Sequence, residues 1–238
     1  MTLLGRLELQ RGTVLRRLNR FVVEARVEGG VERLHIRNTG RLHDLLYPGA
    51  SILYQPRPGF KTAGLVVGVE AEEGVAALID PGLQVFFFEE AWRLGLVGWL
   101  REWRLVAREA AYRGSRLDYL LEGPGGRRGL MEVKSAVYLS GERLCMYPDT
   151  VSLRGRRHVE RLIEAVCEGF RAVIVFISAH PFCEGFRPCC EVDPMLCKTL
   201  ERAVAAGVEV HAVKMRLGES GEVHLDSDDL PVRLDGWC

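Results

Sequence analysis

Amide side chains are scarce in this 238-residue chain, which has only Asn19, Asn38, Gln10, Gln55 and Gln84. Lysine is nearly as rare: Lys61, Lys134, Lys198 and Lys214 are four of 32 basic residues, so Arg carries almost all the positive charge. Some thermophilic proteins share the scarcity of amides and abundance of Arg, and genome base composition produces them too. No apolar run approaches the ~18–20 residues a membrane span needs, and the first residues lack the apolar core of a secretion signal. A cytoplasmic protein without membrane contact is expected. Cysteine is absent ahead of Cys145; the others are Cys167, Cys183, Cys189, Cys190, Cys197 and Cys238. The cluster from Cys183 to Cys197 lacks C-x-x-C spacing and has only His180 nearby, which argues against zinc and for buried thiols. A disulfide is expected only for a hyperthermophilic source. Net charge is missing as well, 32 acidic residues offsetting 32 basic, so no bulk attraction to a polyanion follows.

The charge is unevenly placed. Residues 1–61 hold eleven Arg and Lys against five Asp and Glu, whereas 219–238 hold six acids against Arg233 alone. A basic front module suggests a polyanionic partner, and a plain solvated surface is the equal alternative. With 47% hydrophobic residues, the chain has enough apolar mass for two modest cores. The first eighty residues read as short strands (6–10, 13–18, 21–27, 31–36, 51–54, 64–70 and 75–79) with one irregular or helical piece at 42–47. That pattern fits a small closed barrel of the OB type, a fold that commonly grips oligonucleotides, and another small β-barrel fits nearly as well. H-I-R-N-T-G at 35–40, followed by Arg41 and His43, is ordinary turn chemistry or a phosphate-holding loop of backbone amides with His, Asn and Arg.

From Val85 the texture changes, placing a boundary between domains 1–84 and 85–238. Helices are expected at 86–99, 100–110, 155–168 and 194–206, the last capped by Gly207. The apolar run 172–179 reads as a strand buried on both faces, and 208–215 as a parallel neighbour reached through a right-handed crossover. Arg154, Arg157 and Arg161 share a face of the third helix, with His158 beside them. The tail from Gly218 reads as a loose or partly disordered hairpin.

The most informative stretch is 116–135. Runs 117–121 and 130–133 flank Gly123-Pro124-Gly125-Gly126, the signature of a β-hairpin. With Asp118 opposite Glu132, Leu120 meets Leu130 and Glu122 meets Arg128 as an ion pair. Glu132 and Lys134 then share one face, and Met131 and Val133 the other. Two carboxylates and an ammonium on one patch suit Mg²⁺ or Mn²⁺ and phosphodiester chemistry: a cation relieves the repulsion and the Lys steadies developing negative charge. In a chain that otherwise uses Arg, the choice of Lys is telling, because a compact ammonium shifts its pKa readily. As a bare pattern, Asp followed by Glu-x-Lys also arises on the wet face of ordinary hairpins.

Several motifs together resemble the sugar fermentation stimulation protein A family: R-F-V-V-E-A at 20–25, H-I-R-N-T-G, S-R-L-D-Y-L-L at 115–121, M-E-V-K-S at 131–135, Y-P-D-T-V-S-L-R-G-R-R-H-V at 147–159 and E-G-F-R-A-V-I-V-F at 168–176. The likeness spans nearly the whole chain. It implies a two-domain α+β protein with an N-terminal OB-like barrel and a C-terminal α/β mixed sheet flanked by helices, similar to PD-(D/E)xK nucleases, with DNA as partner. Carried over, Asp118 is the metal-binding Asp, Glu132 the second acid and Lys134 the catalytic Lys, with Glu109 as an additional helix acid on the metal. Arg20, His35, Asn38, Arg41, Arg154, Arg157 and His158 are the expected nucleic-acid contacts. At 77–84 the family carries an Asn-centred segment, and Asp80 stands there instead. The resemblance leaves two functions open, a Mg²⁺-dependent nuclease and a non-catalytic DNA-binding regulator that keeps the fold as scaffold. A sugar-handling enzyme draws on the family's name alone.

Overall fold

The computed structural model describes residues 1–57 and 61–234; Asp235 of the acidic tail and Cys238 lie outside them. After β1 (Thr2–Arg6), five strands build the barrel: β2 (Gln10–Asn19), β3 (Val22–Val27), β4 (Gly30–His35), β5 (Ser51–Pro56) and β6 (Gly64–Glu72). The pairings β2–β3, β3–β4, β2–β5 and β5–β6 are antiparallel, and a parallel contact of Leu34 with Gly64 and His35 with Leu65 closes the ring. The circuit β2-β3-β4-β6-β5-β2 is that of an OB barrel. Alternation drives it: Val14, Val23, Ala25, Leu34, Ile52 and Leu65 are all buried, one face of each strand turning inward. Closure requires Gly64, where a Cβ would stand 2.7 Å from the Tyr54 ring and the Gln55 carbonyl. The irregular piece is a turn, with the Leu46 amide donating to the Leu42 carbonyl at 2.8 Å, and it buries Leu42, Leu45 and Leu46.

Strand β7 (Val75–Leu78) leads directly into helix α1 (Pro81–Arg93). The helix therefore starts well before the expected 86, because Asp80 caps it, accepting from the Leu83 amide at 2.8 Å, with Pro81 pre-set for the first turn. It ends at Arg93, leaving Leu94 exposed. The second expected helix, 100–110, is instead strand β8 (Arg104–Tyr112). Its Ala-rich sequence favours a helix locally, but pairing with β9 (Ser115–Glu122) along its length overrides that preference. Strand β10 (Arg128–Ser135) completes the hairpin with Leu130 opposite Leu120 and Arg128 opposite Glu122, the register expected. The expected ion pair does not form: Arg104 donates to Glu122 at 2.6 Å, and Arg128 lies over the Phe170 ring.

Beyond the hairpin come β11 (Tyr138–Leu139), β12 (Leu144–Tyr147), α2 (Leu153–Cys167), β13 (Arg171–Ser178), β14 (Gly185–Pro188), α3 (Pro194–Ala206), β15 (Glu209–Gly218) and β16 (Glu222–Ser227). Strands β10, β13 and β15 run parallel, and β11, β12 and β14 form a separate small sheet. Side chains of β13 divide the two cores by alternation. Val173, Val175 and Ile177 join the core shared with α1 and the barrel, while Ala172, Ile174 and Phe176 join that of α2 and α3. Met131 and Val133 belong to the first core, so Glu132 and Lys134 fall on the α2 side. One cysteine expectation is corrected: Cys190 and Cys197 are joined in a disulfide across the first turn of α3, while Cys145, Cys183 and Cys189 are buried free thiols.

The tail is an ordered hairpin of β15 and β16, and β1 adds to its outer edge. Through this pairing the two charged ends of the sequence meet. Arg6 bonds Glu222, and Arg11 reaches both Glu70 and Glu219. Two of the front module's basic residues are thus paired with acids from outside it.

The end of β7 meets the chain just beyond β13, where the Leu78 amide donates to the Ala179 carbonyl at 2.9 Å. Next to this junction is the buried His180, whose Nδ1 accepts from the Phe182 amide at 3.3 Å. Burial, helped by Lys214, pushes its pKa down to about 4. The unfolded chain therefore binds a proton that the folded protein refuses, and stability falls as pH drops from about 6.5 towards the folded value. Denaturant titrations at about pH 6 and about pH 4.5 should differ by about 2 kcal/mol more in the parent than in His180→Phe. Equal differences would refute the assignment.

Candidate active site

The regular ladder between β9 and β10 stops at Met131 opposite Tyr119. Just beyond it the two acids lock each other's strands. The Val133 amide donates to Asp118 Oδ2 at 2.7 Å, and the Asp118 amide donates to Glu132 Oε2 at 3.3 Å. Glu132, 1% exposed, also takes Lys134 Nζ and His158 Nδ1 on Oε1. Arg154 Nε donates to His158 Nε2 at 3.3 Å, which places the imidazole proton on Nδ1, facing Glu132. Asp118 Oδ1 has no hydrogen-bond donor among the described residues.

These contacts set the charges. Burial raises the Asp118 pKa, and the neighbouring Glu132 charge raises it further against Lys134 and the Val133 amide. Burial also pushes Glu132 upward, but the His158 hydrogen bond and Lys134 outweigh it and hold the carboxyl below its usual range. Lys134 is disfavoured by burial yet ends above its ordinary value because Glu132, Tyr147 and Asp118 surround it.

Asp118, Glu132 and Lys134 line a recess of about 400 Å³. The barrel loop Arg37, Asn38, Thr39 and Gly40 and the turn from Tyr147 to Thr150 also line it. The loop is bolted down. Arg37 forms a two-pronged bond with Asp80, and Asn38 donates to the Ile79 carbonyl at 3.0 Å while accepting from the Gly40 amide. Asp149 lies against Gly40, where a Cβ would stand 2.3 Å from its carboxylate, and accepts from the Leu42 amide at 3.2 Å.

The expected contacts scatter. Asn38 and Arg154 line the recess, and His158 stands behind Glu132. Arg157 lies one turn further along α2 and is exposed. Arg20 is exposed on the β2–β3 turn over the Phe21 ring, and Arg41 is also exposed. His35 is half-buried in β4 opposite Val22. Glu109 is not on a helix, contrary to expectation. Its β8 neighbours Arg108 and Ala110 pair Tyr119 and Leu117, the residues on either side of Asp118 in β9, and Glu109 itself has a φ of 53°. The carboxylate is 74% exposed, 3.3 Å from Arg116. Arg37, Asp149 and Ser152 were not among the expected residues. Ser152 had a readable signal, a Ser directly before a helix, and it caps α2 through the Gly155 amide.

The donor set fits a hard divalent cation. Two carboxylates, one with an oxygen free of donors, leave the remaining positions to water and phosphate, as Mg²⁺ prefers. Among the described residues no group of three or more His, Cys, Asp or Glu has metal-holding geometry, so a protein-enclosed site of the zinc type does not form there.

An OB barrel joined to a mixed sheet that offers Asp, Glu and Lys from paired strands defines a two-domain α+β protein. The chain belongs to the sugar fermentation stimulation protein family. The family model "SfsA N-terminal OB domain" matches residues 15–79 and "Sugar fermentation stimulation protein RE domain" matches 83–221. A sugar fermentation stimulation protein homolog of Pyrococcus furiosus is 42% identical over 209 residues, covering 88% of this chain and 90% of its own. One from Pyrobaculum islandicum is 35% identical over 223 residues, 94% of each chain. The solved structure of Pyrococcus furiosus SfsA in complex with Ca²⁺ superposes with a TM-score of 0.92 at 38% identity, covering 98% of this chain and 100% of that one. No helix among the described residues is long and apolar enough to cross a membrane.

Proposed function

We propose that this protein is a DNA-binding phosphodiesterase that uses Mg²⁺ or Mn²⁺ at Asp118 and Glu132. The observation that carries the reading is the convergence of Asp118, Glu132 and Lys134 on one recess that the barrel loop 37–40 also lines. The Ca²⁺ complex of the Pyrococcus furiosus relative supports a divalent ion. When bound, the ion polarises the phosphate and lowers the pKa of a water. Lys134 donates to the non-bridging oxygen as charge develops on it. His158 holds Glu132 from behind, and the Val133 amide fixes Asp118, so neither carboxylate has to reorganise. Arg20, on the loop that OB barrels use for oligonucleotides, and Arg41 guide the strand toward the cleft.

The test is incubation of the full chain with single-stranded, duplex and branched DNA and with RNA, with and without Mg²⁺ or Mn²⁺. Cleavage of at least one DNA form only with metal is the expected result. Absence of cleavage, together with no Mn²⁺ binding at millimolar concentration, rejects the catalytic reading.

A further inference from the structure

A second recess, of about 310 Å³, opens on the other side of His158. The turn between β8 and β9 supplies Gly114, Ser115 and Arg116, and the start of α2 supplies Arg154, Arg157 and His158. Residues 154, 157 and 158 stand at i, i+3 and i+4, so one helix face brings them together. No carboxylate lines the recess. Arg157 is exposed, with no hydrogen bond or ion pair among the described residues. Arg116 has only the exposed Glu109 at 3.3 Å, and Arg154 spends its Nε on His158.

Three guanidiniums around so small a space repel one another unless an anion joins them. Their planar forks match the oxygens of a phosphoryl group. Gly114, with φ 73°, has nothing within 4 Å of where a Cβ would stand, so the mouth is open. The recess also adjoins the candidate active site. Arg154 lines both cavities, and the imidazole of His158 separates them, with Nδ1 on Glu132.

We propose that this recess is a phosphate subsite, in which Arg116, Arg154 and Arg157 hold the phosphoryl group next along the strand from the one at Asp118 and Glu132. The assignment rests on the nucleic-acid reading above and adds to it where the strand runs, from the barrel loop across the acids and onto the first turns of α2. The phosphoryl group has two sources, an internal diester and a terminal monoester.

The experiment measures fluorescence anisotropy of a labelled single-stranded oligonucleotide with the full chain in EDTA, over a salt series. Arg157→Ala should weaken binding about fivefold and reduce the log–log salt slope by about 0.7, one released counterion contact. Arg157→Lys should keep the slope, because the charge remains. Arg101→Ala, exposed on the opposite side of the sheet, is the control and should match the parent. Repeating the series with and without a terminal phosphate identifies the source: an Arg157→Ala effect confined to the phosphorylated strand means a monoester, and one present in both means a diester. A slope for Arg157→Ala equal to that of Arg101→Ala overturns the subsite, as does failure of the parent to bind. If the slope changes but the parent neither cleaves DNA nor binds Mn²⁺ at millimolar concentration, the subsite stands and the catalytic reading falls. Cleavage by the parent with an unchanged slope gives the reverse.

Discussion

Asp118→Asn and Lys134→Ala should both abolish metal-dependent cleavage, by about a thousandfold or more, but they should fail for different reasons. Mn²⁺ should stabilise the parent by about 2–3 kcal/mol at about a hundredfold excess over its Kd, read as a rise in Tm. Asp118→Asn and Glu132→Gln should lose most of that rise, since each removes a charged ligand from the pair. Lys134→Ala should keep it, because an ammonium is not a ligand. The metal-free Lys134→Ala protein should also be less stable than the parent. Glu132 keeps only His158 and one backbone amide, and the two acids face each other with less compensation. Metal should then restore more stability to this variant than to the parent. If Lys134→Ala loses the Mn²⁺ response as fully as Asp118→Asn, the ammonium is organising the acids rather than serving the reaction.

Asp80→Ala should be the most damaging change outside the recess, at about 3 kcal/mol. One buried carboxylate here closes the start of α1 through the Leu83 amide and receives both prongs of Arg37. The Arg37 side chain is 40% exposed, so once released it turns to water and the ion pair itself adds little. Most of the cost is the orphaned helix end and the loosened 37–40 loop. Asp80→Asn, which can still cap, should recover about half of the loss. Because that loop lines the recess, DNA affinity should fall in Asp80→Ala beyond what unfolding accounts for. Chemical denaturation and anisotropy on the same samples separate the two effects, and an unchanged affinity would show that the loop is held by other means.

Where local signals and tertiary demands agreed, the sequence was readable. Leu117 to Val133 alternate around a Gly-Pro-Gly-Gly turn, and any slip of register would have turned Met131 and Val133 out of the core. Asp193-Pro194 and Gly207 bracket α3 with a cap at each end, and the expected bounds are those observed. Residues 104–112 went the other way, because alanines and arginines say little about a strand until β9 is beside them. The capping role of Asp80 was hidden by reading it as a departure from a family pattern rather than as Asp before Pro. His158 was legible as a residue on a helix, but its hold on Glu132 spans 26 residues and depends on how α2 crosses the sheet. Asp149 and Arg37 act only because the barrel loop and the turn after β12 meet, a proximity no local pattern encodes. The basic front and acidic tail are visible in the sequence, but only the sheet topology matches them to one another.

That match has a consequence for how the molecule is made. β1 leaves the ribosome long before β16, yet the two are neighbours, with the Arg6 and Glu222 side chains 216 positions apart in the chain. During synthesis β1 is an unpaired strand that waits for nearly the whole polypeptide, while the circuit β2 to β6 can close from contacts available early. Closure of the barrel therefore does not depend on β1, whose docking has to wait for the β15–β16 hairpin.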